Sequence, residues 1–384
     1  MLISTPRKVL CRMTNKMWQK KNLMPVKPPI SSMREMMKVS NFPTDSCASN
    51  RLSLTNLGLP RLENNTAEKW DWRYRVSSYE WYSGCQSAGI PLKPRPTPES
   101  LIHHLIDEGG WLFIGDSLSA QWFMSLSCFL EPYVIATPHW TADVPWGSPQ
   151  HMYLNPNSTF VHELKLPNGF DLKVTPLVSI LRSGLLISRP EMREIIEKHQ
   201  LVNDDKPLFG DDMVFDGNTT MYTSAFLDPK FRYSKMIASS GAHYTQKLFQ
   251  NRPLYQIAEI YHKNFEHWAE LMLKTLQDPK SKGKKIFYRT ATSGHDRCND
   301  ARSTGPWSEE HILETPVYNW QTIPLFNKIA DNIMTNLQQP RFQLLEIDRP
   351  AMLRPDAHLL IDCLHFTVGS GVVEGWTEYV YNYT

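Results

Sequence analysis

Long apolar runs are missing from this 384-residue chain. No stretch approaches the roughly 18 uninterrupted apolar residues of a membrane span, so no membrane span is expected. An excess of charge of one sign is missing as well. Lys and Arg number 41 against 39 Asp and Glu, a net charge of +2. That balance excludes the strong basic patch of a dedicated nucleic-acid binder. The six cysteines, Cys11, Cys47, Cys85, Cys128, Cys298 and Cys363, include no CxxC pair. Such spacing is a poor zinc pattern and suits a few disulfides, so no metal is expected. The N-terminus, MLISTPRKVLCRMTNKMWQKKNLMPVKPP, is basic and Met-rich but lacks the apolar core of a signal peptide.

What is present points elsewhere. A hydrophobic content of 41% supports a sizeable core. Twelve Trp are many for this length. Each is first a core residue, yet such an excess also suits stacking on sugar rings. Glycosylation sequons stand at Asn64, Asn157, Asn218 and Asn382. They argue for a secretory route, in the Golgi or outside the cell, while the missing leader argues against it. A truncated or mis-assigned N-terminus reconciles the two. On that route Asn157 and Asn218 should lie on exposed loops.

Three regions follow from composition. Residues 1–60, rich in Lys, Arg, Ser, Pro and Met, read as a disordered or incompletely folded segment. Residues 61–96 are dense in Trp and Tyr and end in prolines, which suits an irregular segment packed on the main domain. Residues 97–384 alternate between strand-like and helix-like patterns. Thr97-Pro98 is a helix start and Gly109-Gly110 its stop. Strands are expected at 111–114, 133–137, 171–178, 234–238, 285–290 and 343–347. Helices are expected at 190–200, 254–276 and 325–337, and a loop at 204–217. This βα alternation implies right-handed crossovers and a mostly parallel sheet covered on both faces. Ligands then lie beyond the carboxyl ends of the strands.

The chain is organised around WLFIGDSLSAQWFMSLSCFL, residues 111–130. Trp111 to Ile114 form a short buried strand, Gly115-Asp116-Ser117 a turn, and Leu118, Trp122, Leu126 and Leu130 the face of a helix. A serine at a strand-to-helix break is lifted from the sheet edge beside backbone N–H groups able to face an oxyanion. Other polar clusters follow later strands: Ser239-Ser240-Gly241-Ala242-His243-Tyr244, then Thr292-Ser293-Gly294-His295, then Asp362-Cys363-Leu364-His365. Asp362 and His365, three apart, share one side of a helical turn. The carboxylate can fix the imidazole, which then takes the serine proton. Taken alone, DxxH is more often a surface ion pair. Cys298 and Cys363 lie in regions that converge on one sheet edge and are a possible disulfide.

Gly-Asp-Ser-Leu resembles the opening block of the GDSL or SGNH hydrolases. The match is closer over WLFIGDSLSAQWFMSLSCFL, SSGAHY, FYRTATSGH and LRPDAHLLIDCLHFTVGSGVVEGWTEYVYN, residues that resemble the PC-esterase family. That family includes the plant trichome-birefringence-like polysaccharide O-acetyltransferases and related fungal proteins. The resemblance covers roughly residues 68–384. It implies an SGNH-hydrolase-like three-layer αβα fold with irregular insertions and a serine enzyme needing no cofactor. Its partners would be a carbohydrate or polysaccharide acceptor and an acetyl donor. Ser117 matches the nucleophile, and Asp362 and His365 match the remaining triad members. Gly115, Asp116, Ser239, Gly241, His243 and His295 are candidates for the oxyanion hole or substrate contact. Two positions depart from the plant pattern. Ala120-Gln121 replaces Arg-Asn, and Ser239 stands where those proteins carry an Asn that resembles the oxyanion side chain. Serine is the shorter donor. The competing readings are a GDSL lipase, disfavoured by the absence of an apolar lid-like helix beside Ser117, and a sugar-binding protein that kept the fold without catalysis.

Overall fold

A computed structural model describes residues 18–21, 33–51, 67–81, 94–210 apart from 142 and 146, 217–295, 298–300, 305–306 and 322–383 apart from 361. In chain order, β1 (Trp18–Lys20) and α1 (Met33–Val39) come first. Next are α2 (Ala67–Ser77) and β2 (Tyr79–Trp81), which pairs antiparallel with β1. Then α3 (Pro98–Asp107) leads into β3 (Gly110–Gly115) and α4 (Ser117–Phe129). The Thr97 side chain caps α3 at the Ser100 N–H, and Ser100 Oγ returns a bond to the Thr97 N–H. This reciprocal box, with Pro98 in the first turn, is why the helix starts there.

Two strands, β4 (Val134–Thr137) and β5 (Gln150–Leu154), form an antiparallel edge hairpin, followed by the short α5 (Thr159–Glu163). The alternation proper resumes with β6 (Val178–Arg182), α6 (Arg189–Lys198), α7 (Thr219–Leu227) and β7 (Tyr233–Ala238). It continues through α8 (Leu254–Gln277), β8 (Lys285–Arg289), α9 (Ile323–Leu337) and β9 (Phe342–Leu345). The short α10 (Asp348–Met352) and α11 (Val372–Tyr383) close the chain.

The sheet has seven strands in the order β4-β5-β6-β3-β7-β8-β9. The five from β6 to β9 are parallel, and β5 runs against β6. Central strands covered on both faces read as continuous apolar runs, and β3 is buried at every residue. Its alternate side chains feed two separate cores. Leu112 and Ile114 pack with residues of α6, α7, α8 and α9, whereas Trp111 and Phe113 pack with residues of α3, α4 and α11. The result is an α/β architecture with helices on both faces of a central sheet.

Several expectations shift. The strand placed at 171–178 is Val178–Arg182, because residues 171–175 close a turn in which Asp171 accepts the N–H groups of Lys173, Val174 and Thr175. Strand β5 has no counterpart among the expected strands. Residues 33–51 fall within the segment expected to be incompletely folded, yet they are packed. Met37 and Phe42 are buried, Ser49 donates to Gln150 Oε1 at 2.7 Å, and Cys47 is bonded to Cys128. Residues 1–17 and the sequon at Asn64 lie outside the described residues. Within the aromatic-rich segment expected to be irregular, residues 67–81 form α2 and β2. There Trp72 and Val76 enter the core, and Val76 O accepts from the buried Arg354.

Two disulfides, Cys47–Cys128 and Cys298–Cys363, mark an oxidising, secretory type of environment. Asn157 is exposed in a turn, and Asn218 is exposed as the N-cap of α7. No helix of the described residues is long and apolar enough to cross a membrane.

Candidate active site

Because β6, β3, β7 and β8 are parallel, their carboxyl ends share one edge of the sheet. The end of β3 is pinned from both sides. The Ser183 N–H donates to Gly115 O at 2.9 Å, and the Ser239 N–H donates to Ile114 O at 3.0 Å. A Cβ at position 115 would lie 2.5 Å from Ser119 Oγ and 2.8 Å from Ser239 O. Only glycine permits so close a turn. Asp116 then caps α4, accepting the N–H groups of Leu118 (3.0 Å) and Ser119 (3.4 Å). This buried carboxylate thus caps the helix through one oxygen, Oδ1. Its charge faces two buried arginines at neighbouring strand ends. Burial lowers Arg182 to about 10 and lowers Arg289 as well, although Asp116 pulls both upward.

Ser117 is the first residue of α4 and is half-buried. Its Oγ lies 2.6 Å from His365 Nε2, across 248 positions of sequence. His365 Nδ1 lies 3.0 Å from Asp362 Oδ2. The turn that carries them is not the helical turn expected from the spacing. Asp362 Oδ1 accepts the N–H groups of Leu364 (2.9 Å) and His365 (2.7 Å), so the carboxylate folds its own loop with one oxygen and holds the ring with the other. Burial works against ionisation of Asp362. The His365 ring and the two backbone N–H groups outweigh it and hold the carboxyl below its ordinary range. With Nδ1–H donating to Asp362, Nε2 is left to accept the Ser117 hydroxyl proton.

Two fixtures set this turn against α4. Cys363 is bonded to Cys298. Gln121, one helical turn beyond Ser117, donates through Nε2 to Phe366 O at 2.8 Å and accepts the Phe366 N–H through Oε1 at 3.1 Å. Gln121 thus clamps the segment just after His365 to the helix that carries Ser117. Sequence reasoning passed over this role, although the i, i+4 spacing from Ser117 places Gln121 near the serine's side of the helix.

The remaining candidates divide. Ser239 is buried beside Gly115, and its Oγ has no hydrogen-bond partner among the described residues. Gly241 has φ +138°, and a Cβ there would meet Ala291 Cβ at 3.1 Å, so the loop after β7 passes closely over the end of β8. His243 lies half-exposed in that same turn. His295 is engaged inside the protein. It is buried, its Nε2 faces Met352 O at 2.7 Å, its Nδ1 faces His358 Nε2 at 2.6 Å, and its N–H donates to Cys363 O. It backs the His365 turn from behind. No family model matches the chain and no curated protein matches it, so what is shown is an α/β fold with a mixed, mostly parallel seven-stranded sheet.

Proposed function

We propose that this chain is a serine-dependent carbohydrate O-acyltransferase or esterase, acting on acetyl groups of a polysaccharide or glycan through an acyl-serine intermediate. The observation that carries the reading is the Ser117–His365–Asp362 relay, with contacts of 2.6 and 3.0 Å at the carboxyl edge of a parallel sheet. Alongside it stand the PC-esterase-like motifs and the SGNH-like order in which they occur. The compartment that fits is the Golgi or the cell exterior.

Ser117 Oγ attacks the acyl carbon as its proton passes to His365 Nε2, and Asp362 stabilises the imidazolium. The tetrahedral oxyanion forms beside the start of α4, within reach of backbone N–H groups there and in the loop after β7. Collapse breaks the bond to the leaving oxygen, which takes the proton from His365 and leaves acyl-Ser117. His365 then removes a proton from the acceptor, either water or a sugar hydroxyl, whose oxygen attacks the ester; the acyl–Oγ bond breaks and Ser117 Oγ takes that proton back from His365.

The test is labelling with a serine-directed fluorophosphonate and turnover of p-nitrophenyl acetate, with and without added oligosaccharides. Acetyl-Ser117 should appear by mass spectrometry, and Ser117→Ala should show neither label nor turnover. Equal background rates for the two proteins would sink the reading in favour of a non-catalytic sugar binder. The unspent Ser239 hydroxyl gives a second check. A missing oxyanion donor commonly costs about 10²–10³ in rate. Ser239→Asn should therefore raise kcat with little change in KM, and an unchanged or lower kcat removes Ser239 from the oxyanion position.

A further inference from the structure

Behind the His365 turn, two buried histidines make three hydrogen-bond contacts, two of them short, that together call for three protons. His295 Nε2 lies 2.7 Å from Met352 O, and His358 Nδ1 lies 3.2 Å from His365 O. Carbonyl oxygens only accept, so each of these nitrogens carries a hydrogen. A neutral imidazole has a single N–H, and both are now spent. The two remaining nitrogens, His295 Nδ1 and His358 Nε2, face each other at 2.6 Å. Two lone pairs at that distance repel. A proton between them turns the same distance into a short charge-assisted hydrogen bond.

We propose that His295 and His358 share one proton, and that this buried cation is the positioning element that holds the Asp362–His365 turn against Ser117. The pair links three loops. His295 follows β8, Met352 ends α10, and His358 lies in the segment bridged to Phe366. Phe366 stacks on the His358 ring with centroids 4.5 Å apart.

Burial opposes the charge and pushes both rings below their ordinary value, and for His358 the neighbouring His295 and His365 add to the effect. Acting upward are the Met352 and His365 carbonyls and the carboxylates Asp356 and Asp362. Asp356 is itself paired with Arg354 at 2.9 Å, which weakens its pull. The short nitrogen–nitrogen bond spreads the charge over two rings, and the pair gains or loses its proton as a unit.

Histidine-selective nitrogen NMR on the unsubstituted protein reads the proton count directly. At pH 7 the pair should show three nitrogen-bound protons, one strongly deshielded and coupled to both rings. Two neutral rings with one N–H each between pH 6 and 8 would overturn the proposal. The kinetic consequence rests on the reading of His365 as general base. His358→Gln should lower kcat about 10-fold with KM unchanged, as a misplaced base does. It should also raise the acid limb of kcat/KM by about one pH unit through the lost charge. An unmoved limb would reduce the pair to packing. If the protein neither turns over acetyl esters nor takes the fluorophosphonate, the proposed activity fails, while the proton count still stands or falls on the NMR.

Discussion

Two serine–histidine contacts of nearly equal length stand among the described residues, and only one lies at a helix start and is backed by a carboxylate. Ser117 Oγ is 2.6 Å from His365 Nε2, and Ser179 Oγ is 2.7 Å from His151 Nδ1. Ser179 sits inside β6 with no exposure, and the Tyr233 hydroxyl donates to it at 2.6 Å. Its histidine comes from the adjoining strand β5, and burial pushes that imidazole down to about 4. No carboxylate faces the other ring nitrogen among the described contacts, so nothing favours the imidazolium that a base must become. Ser117 stands instead at a helix start on the carboxyl edge, and Asp362 backs its histidine. What separates a relay from a structural hydrogen bond is therefore the third group and the place in the sheet, not the serine–histidine distance.

The widest separation between the two pairs is in activity. Ser117→Ala should lower acetyl-ester turnover by about 10⁶-fold, to background, the scale of losing a triad nucleophile. Ser179→Ala should leave turnover per folded molecule within about threefold. Its cost is stability, about 1–3 kcal/mol, because Tyr233 and His151 lose a buried partner. Measuring kcat beside chemical denaturation for both variants checks this. A Ser179→Ala protein that is stable but inactive would break the comparison.

The same contrast shows what the sequence could reveal. The strand–turn–helix at 110–129 is legible because burial on both faces gives a continuous apolar run and the pattern then changes to helical spacing. Residues 178–182 were misplaced because VSILR is preceded by DLKVT, which alternates like a strand but folds as an Asx-type turn. Asp362 and His365 were readable as a local pair. Their approach to Ser117 was expected from the Ser-His-Asp pattern, but the Gln121 clamp that helps to set it was not, since its partner lies 245 positions away. The packing of residues 33–51 was equally invisible, because Cys47 meets Cys128 only in the folded chain. Composition and periodicity describe how a segment treats water. They do not describe which distant segment completes it.

A second, smaller effect concerns pH. His151 is held at about 4 against an ordinary 6.5. A histidine depressed in the folded state takes up protons more readily when unfolded. Its contribution is complete above about pH 6.5 and is lost as pH falls toward 4, for a total of about 3 kcal/mol. Denaturant titrations at pH 7 and pH 4 should show His151→Gln losing that much less stability between the two than the unsubstituted protein does. Equal losses would mean that His151 is solvated and its partnership with Ser179 weak.

The smallest effect tests how the Ser117–His365 pair is held rather than what it is made of. His151 and Ser179 lie on adjacent strands, so the sheet fixes their distance. Ser117 and His365 have no ladder between them, and the Gln121 amide supplies the only reciprocal backbone clamp described between α4 and the residue after His365. Gln121→Leu keeps the volume but leaves the Phe366 N–H and C=O without the amide, at a cost of about 2 kcal/mol. The freed strand lets the imidazole drift from Ser117, and because a shift of about 1 Å can cost up to 10² in rate, a partial drift should lower kcat about 10-fold. Substrate binding does not use Gln121, so KM should stay within about twofold. Fluorophosphonate labelling should slow in parallel, since it needs the same activated serine. If labelling slows but kcat holds, deacylation rather than serine activation limits turnover. If neither changes, the disulfide and the Asp362 loop suffice to place His365, and the clamp belongs to the core alone.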